Sequence, residues 1–317
     1  MENYNTAVFM NPYTDFGFKK LFGTEPNKDI LISFLNALFD GDRKTIVDLK
    51  YLNTEVLGPY YGDRNSVFDV YCITEDGTHF IVEMQRSDQP YFKDRTVYYA
   101  SASIVQQAPK RSDWNYKLTD VCVVGILDFV FPNKEYPDDS YVHKVTLKDN
   151  DDNHQVYDKL TFYYVEMPKF KKKEDELVTM QDKWLYVVKN ICCLLSQPKE
   201  LQEKVFTKFF EEARIGMFTK EEQFAYMISQ KHYWDNHNTI AYSYEKGQKA
   251  GMKAGMEAGV KEGRELGFAE GKELGLAEGR ELGLAEGQAK AKTELAQKML
   301  SLGIPPEVVS EVTGEES

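Results

Sequence analysis

The sequence predicts an α/β fold with a helical C-terminal extension, on three observations. Between residues 44 and 166, short β-branched and apolar runs flank a segment of helical spacing. One of these runs, Val121 to Phe131 (VCVVGILDFVF), is nearly continuous, as in a strand buried on both faces. From about Asp175 the apolar spacing turns helical.

In chain order, Asp29 to Phe39 places Ile30, Leu31, Phe34, Leu35 and Leu38 on one helical face. Lys44 to Leu57 reads as a strand. Ser66 to Thr74 and Thr78 to Arg86 read as two more, joined by Glu75-Asp76-Gly77. Tyr91 to Ala108 reads as a helix carrying Tyr98, Tyr99, Ala102 and Val105. Val142 to Leu147 and Leu160 to Glu166 are later strands. Beyond Asp175, Trp184, Val187, Val188, Ile191 and Leu195 recur at helical spacing. Val205, Phe209, Phe210, Phe224, Tyr226 and Met227 follow, and all read as packed core.

Glycine then recurs every fourth residue from Gly247 through Gly287, eleven times, and within this stretch lies an octad, GRELGFAE, GKELGLAE and GRELGLAE. Four residues turn a helix by about 400°, so the glycine stripe winds by about 40° per repeat. Each interior glycine costs about 1 kcal/mol relative to alanine. Two readings stand: a semi-flexible spacer, or a helix that pairs closely along its Gly/Ala surface and makes a homo-oligomer. Glu, Lys and Arg between the glycines exclude a membrane dimer motif. Lys292 to Leu302 reads as a short helix, stopped by Gly303-Ile304-Pro305-Pro306, and Glu307 to Thr313 as a second. The organisation expected is therefore residues 1–170, a helical region 171–244, the glycine repeat 245–291 and a short helical pair 292–317.

The net charge of −12 argues against a generic nucleic-acid binder. The excess is uneven. Residues 1–170 hold 18 Lys/Arg against 26 Asp/Glu, residues 171–244 hold 11 against 11, and residues 245–317 hold 10 against 14. A local basic face is still available from Lys19, Lys20, Arg64, Arg86, Arg95, Lys110, Arg111 and the run Lys169 to Lys173. Cys72, Cys122, Cys192 and Cys193 form no C-x-x-C pair, which points to reduced core thiols rather than structural zinc. No run approaches a membrane span, and Met1-Glu2-Asn3-Tyr4 carries no charged-then-apolar leader, so a cytoplasmic location is expected.

The chemistry lies around Glu75-Asp76-Gly77. In FIVEMQR, Glu83 and Gln85 share a face with Ile81, while Phe80, Val82 and Met84 point the other way. In SVFDVYCIT, Asp69 interrupts a similar run. Charges in such strands are costly unless paired or bound to metal. A three-residue loop with Gly77 left-handed sets Thr74 opposite Thr78, Asp69 opposite Glu83 and Gln85 opposite Val67. A two-residue Asp76-Gly77 turn instead sets Asp69 opposite Met84 and separates the acids. Two carboxylates with a nearby carbonyl and waters suit Mg²⁺. Glu55 is either a third acidic ligand or an exposed strand acid. Asp15 and Lys19 belong either to the site or to the cap of the first helix.

Asp69, a hairpin, then Glu83-Met84-Gln85 resembles the PD-(D/E)XK nuclease signature, and the element order resembles that restriction-endonuclease-like core. The resemblance is closest to the Rpn family of recombination-promoting nucleases and transposase-like proteins. It runs through Asn11-Pro12-Tyr13-Thr14-Asp15-Phe16-Gly17-Phe18-Lys19-Lys20-Leu21-Phe22-Gly23, Asn53-Thr54-Glu55-Val56-Leu57, Arg95, Tyr98-Tyr99, the glycine tail and AQKMLSLGIPPEVVSEVTG. It implies a Mg²⁺- or Mn²⁺-dependent DNA endonuclease, a hydrolase, linked to DNA recombination, mobile elements or defence. Asp69 and Glu83 would hold the metal and Gln85 would orient water. Lys19, Arg86 and Arg95 would assist or bind DNA. Gln85 stands where the general signature has lysine, so the charge a lysine supplies must come from elsewhere, for which Lys19 and Arg95 are candidates. The rival reading is a catalytically weak or inactive nuclease fold acting as an oligomeric interaction module.

Overall fold

The computed structural model describes residues 7–314, apart from residues 40, 57–65, 109–113, 133–135 and 138. The chain forms two units, Met1–Asn236 and His237–Ser317. The first is a mixed α/β layered structure. Its sheet runs β1 (Leu49–Tyr51), β4 (Val70–Thr74), β5 (His79–Gln85), β6 (Val121–Leu127), β8 (Gln155–Glu166), β7 (Val142–Lys148). The central strands β5, β6 and β8 are parallel; the flanking pairings are antiparallel.

Each face of the sheet has its own core. Phe80, Val82, Met84, Cys122, Val124, Ile126, Tyr163 and Val165 pack against α1 (Asp15–Phe22), α2 (Lys28–Phe39), α4 (Met180–Asn190) and α5 (Lys204–Ala213). Tyr71, Ile81, Val121, Val123, Leu127, Phe162 and Tyr164 face α3 (Phe92–Gln106) through Phe92 and Ala100. Strand β6 is buried at every position, as a strand covered on both sides must be. Trp184 lies at the centre of the larger core, against Phe22, Phe34, Phe206 and Phe209.

Several expectations are corrected. The strand expected over 44–57 is two short ones, β1 and β2 (Glu55–Val56), and β2 pairs with β3 (Ser66–Val67) in a separate two-stranded sheet. On α3 the buried face is Phe92, Thr96, Ala100 and Ser103, while Tyr98 and Val105 are exposed. Small side chains let the helix lie close to the sheet, which apolar spacing alone does not reveal. Leu195, Phe224 and Met227 are exposed rather than core. Cys72 and Cys122 are buried, but Cys193 is exposed and Cys192 only half-buried.

Helix α6 is continuous over Lys220–Ser301, so 292–302 is its end and not a separate helix. The sequence supplies no proline to break it before the Gly303-Ile304-Pro305-Pro306 stop. There Gly303 takes φ +81, Ile304 N–H donates to the Met299 carbonyl at 3.2 Å, and α7 (Pro306–Thr313) buries Val309 and Thr313. No helix among the described residues is long and apolar enough to cross a membrane.

Candidate active site

The β4–β5 turn decides the site. Gly77 is left-handed at φ +85, and its N–H donates to the Thr74 carbonyl at 3.0 Å. Thr74 N–H donates to the Thr78 carbonyl at 3.0 Å, and the Asp76 carboxylate accepts from the Thr74 hydroxyl (2.6 Å) and Thr78 N–H (3.1 Å). This is the three-residue loop, and its ladder pairs Val70 with Val82 and Cys72 with Phe80. One step beyond Val70, Asp69 therefore stands opposite Glu83. Its backbone N–H donates to Glu83 Oε1 at 3.1 Å, and its Oδ2 accepts the Met84 N–H at 2.8 Å.

That last bond ends the strand. With the Met84 N–H taken by a side chain, Phe68 leaves the ladder and its own N–H donates to the Thr54 carbonyl at 2.9 Å. Val67 consequently pairs with Glu55 and not with Gln85, which pairs with Leu127 on β6. The expected Gln85–Val67 pairing is thus corrected.

Glu83 and Gln85 are buried on the α3 face of the sheet. Burial pushes the Glu83 carboxyl up to about 8, and the Asp69 charge adds to this; the Asp69 N–H, Arg95 and Lys19 pull the other way. Burial also raises Asp69, with Asp15 adding to the rise, against the pull of the Met84 N–H, Lys19 and Arg86. A half-buried acid and a buried one, the charge of Asp69 hindering the ionisation of Glu83, form an oxygen donor set on one face. A hard divalent cation fits that set. Among the described residues no group of three His, Cys, Asp or Glu side chains gathers as a metal site, and Glu55 is exposed on β2. The remaining positions around such an ion would fall to water and substrate.

The Gln85 amide is already engaged. Its Nε2 donates to the Ser87 carbonyl at 2.7 Å, and its Oε1 accepts a short bond from Arg95 Nη2. Sequence reasoning missed this clamp. It also missed Gly125, which pairs with Glu83 across the sheet; a Cβ there would meet the Phe92 and Tyr164 rings at 3.3 Å. A lone glycine inside an apolar strand was the available signal.

Asp69 opens onto a cleft of about 1140 Å³ lined by Lys19, Arg86, Phe16, Ile228 and His232 among others. Thr14 caps α1 by accepting the Gly17 N–H, and the helix buries Phe18, Leu21 and Phe22. Asp15 and Lys19 are left facing the cleft, ion-paired at 2.9 Å. Of the remaining basic candidates, Lys20 is held by Glu222 at 2.5 Å, Lys169 by Glu166 at 2.6 Å and Lys172 by Asp182 at 2.7 Å. Arg64, Lys110 and Arg111 lie outside the described residues.

The family model for PD-(D/E)XK nuclease family transposases matches residues 12–243. The chain belongs to this family. The matched span holds the acid hairpin, α3, the whole sheet and the part of α6 that lines the cleft, so this PD-(D/E)XK chain keeps its candidate site inside the family's domain. The glycine repeat from Gly247 lies beyond it. No curated protein and no solved structure matches this PD-(D/E)XK family member.

Proposed function

We propose that the chain is a divalent-metal-dependent endodeoxyribonuclease that hydrolyses phosphodiester bonds in DNA, and that it serves DNA recombination, mobile elements or defence in the cytoplasm. The observation that carries the reading is the Asp69–Glu83 pair: a buried carboxylate and a half-buried one brought to one face, the half-buried Asp69 opening onto a cleft. Asp69 and Glu83 would hold Mg²⁺ or Mn²⁺. When bound, such an ion polarises the phosphate and lowers the pKa of its water. Lys19 and Arg86 line the approach and meet the DNA backbone, which accommodates a polyanion despite the acidic whole.

A second reading, an oligomeric interaction module, has one observation behind it. Along α6 the glycines from Gly247 to Gly287 have open space where a Cβ would stand, and Met252, Met256, Val260, Leu266, Phe268 and Leu274 are exposed.

The deciding experiment is cleavage of supercoiled plasmid with Mg²⁺ or Mn²⁺ by the wild type, Asp69→Ala and Glu83→Ala. Metal-dependent nicking lost in both variants supports the nuclease. Equal nicking by all three identifies a contaminant. No nicking by any of them, with self-association intact, favours the module.

A further inference from the structure

Resting on the nuclease reading, we infer that Arg95 supplies the fixed positive charge of the active site, facing the scissile phosphate, and that Gln85 is the positioning residue that aims it. Arg95 lies in the first turn of α3. Its Nη2 donates to Gln85 Oε1 and its Nη1 to Gln89 Oε1 at 3.1 Å. Its Cζ lies 5.2 Å from the Phe92 ring centroid and 6.0 Å from that of Tyr99. These hydrogen-bond partners are neutral amides and not carboxylates. Lys19, by contrast, is paired with Asp15 and Lys20 with Glu222.

Three further details make this an aimed group. The Gln85 amide is fixed at its other end by the Ser87 carbonyl, which turns Oε1 toward Arg95. The charge of Arg95 reaches Glu83. The Arg95 Nε–H is buried with no acceptor among the described residues, a donor left over inside a site that would receive phosphate oxygens. A lysine at position 85 would carry its own charge. With glutamine there, the charge is moved to α3, one hydrogen bond away.

The test is steady-state cleavage of a labelled DNA duplex with Mn²⁺. Arg95→Gln should lower kcat by about 100-fold with KM within about threefold, the pattern of a group acting in the transition state. Arg95→Lys should retain at least about tenfold more kcat than Arg95→Gln. Adding Gln85→Lys to Arg95→Gln, which returns the charge to β5, should recover at least about tenfold. Arg95→Met, which keeps the stem between the two rings, replaces Arg95→Gln if that variant unfolds. A readout independent of turnover is NMR of the guanidinium: distinct Arg95 Nη signals in the wild type should merge in Gln85→Ala. The inference is overturned if Arg95→Gln keeps kcat within threefold, if the double variant is no faster than the single one, or if the Nη signals are unchanged in Gln85→Ala. A wild type that cleaves nothing sinks the nuclease reading itself, and is seen before any variant is compared.

Discussion

Asp69 donates its backbone N–H to the carboxylate of Glu83, and its own carboxylate takes the N–H of the next residue, Met84. The two acids are thus locked side by side through the backbone, at a cost to both. Each has a raised pKa, Glu83 to about 8. A carboxyl raised in the fold binds more protons there than in the unfolded chain. The pair's own contribution to stability without metal is therefore fully present below the ordinary carboxylate range and is lost as pH rises through about 8. Glu83→Gln should be more stable than the wild type in EDTA at pH 8, by on the order of 2 kcal/mol, and equal to it near pH 4. Mn²⁺ should reverse the order at pH 8 by stabilising only the wild type. Thermal melts at both pH values, with and without metal, decide this; a wild type more stable than Glu83→Gln in EDTA at pH 8 would refute it.

Metal affinity follows from the same titration. Protons must leave the pair before a cation binds, so calorimetry should show Mn²⁺ affinity rising between about pH 6 and 8, with proton release. An affinity flat across that range would place the metal elsewhere.

Gly125 holds α3 against the site. Its missing side chain admits the Phe92 ring beside Glu83, three residues before Arg95 in sequence. Gly125→Ala should cost roughly 1–3 kcal/mol in urea unfolding, the usual cost of overpacking. It should also lower cleavage more than it lowers DNA binding, because the acids and Arg95 separate. Unchanged stability would show that the rings yield freely.

The glycines of α6 should behave oppositely. A Cβ at Gly263, Gly267, Gly271 or Gly275 meets nothing within 4 Å. Changing all four to alanine should raise helicity by circular dichroism, at about 1 kcal/mol per site, and leave cleavage unchanged. If these glycines seat a second copy, analytical ultracentrifugation should show weaker self-association in the same variant.

Much of the site was legible because strand alternation is local. The period of two placed Glu83 and Gln85 on one face, and the glycine at 77 favoured the loop that sets Asp69 opposite Glu83. The competing Asp76-Gly77 turn was also compatible with the residues. Only the ladder chose between them, because the rest of β4 must put Val70 and Cys72 into the core.

The sequence by itself determined the α/β class, the acid pair as candidates, and a helix with glycine at every fourth position. These are written in short-range periodicity. The tertiary structure alone decided that Val67 leaves Gln85, that Gln85 is clamped by Arg95 and Ser87, and that 292–302 continues α6. The first two depend on which donor reaches which acceptor once the strands and α3 are packed together. The third depends on whether many weak glycine penalties together break a helix, and neither question is answered by spacing along the chain.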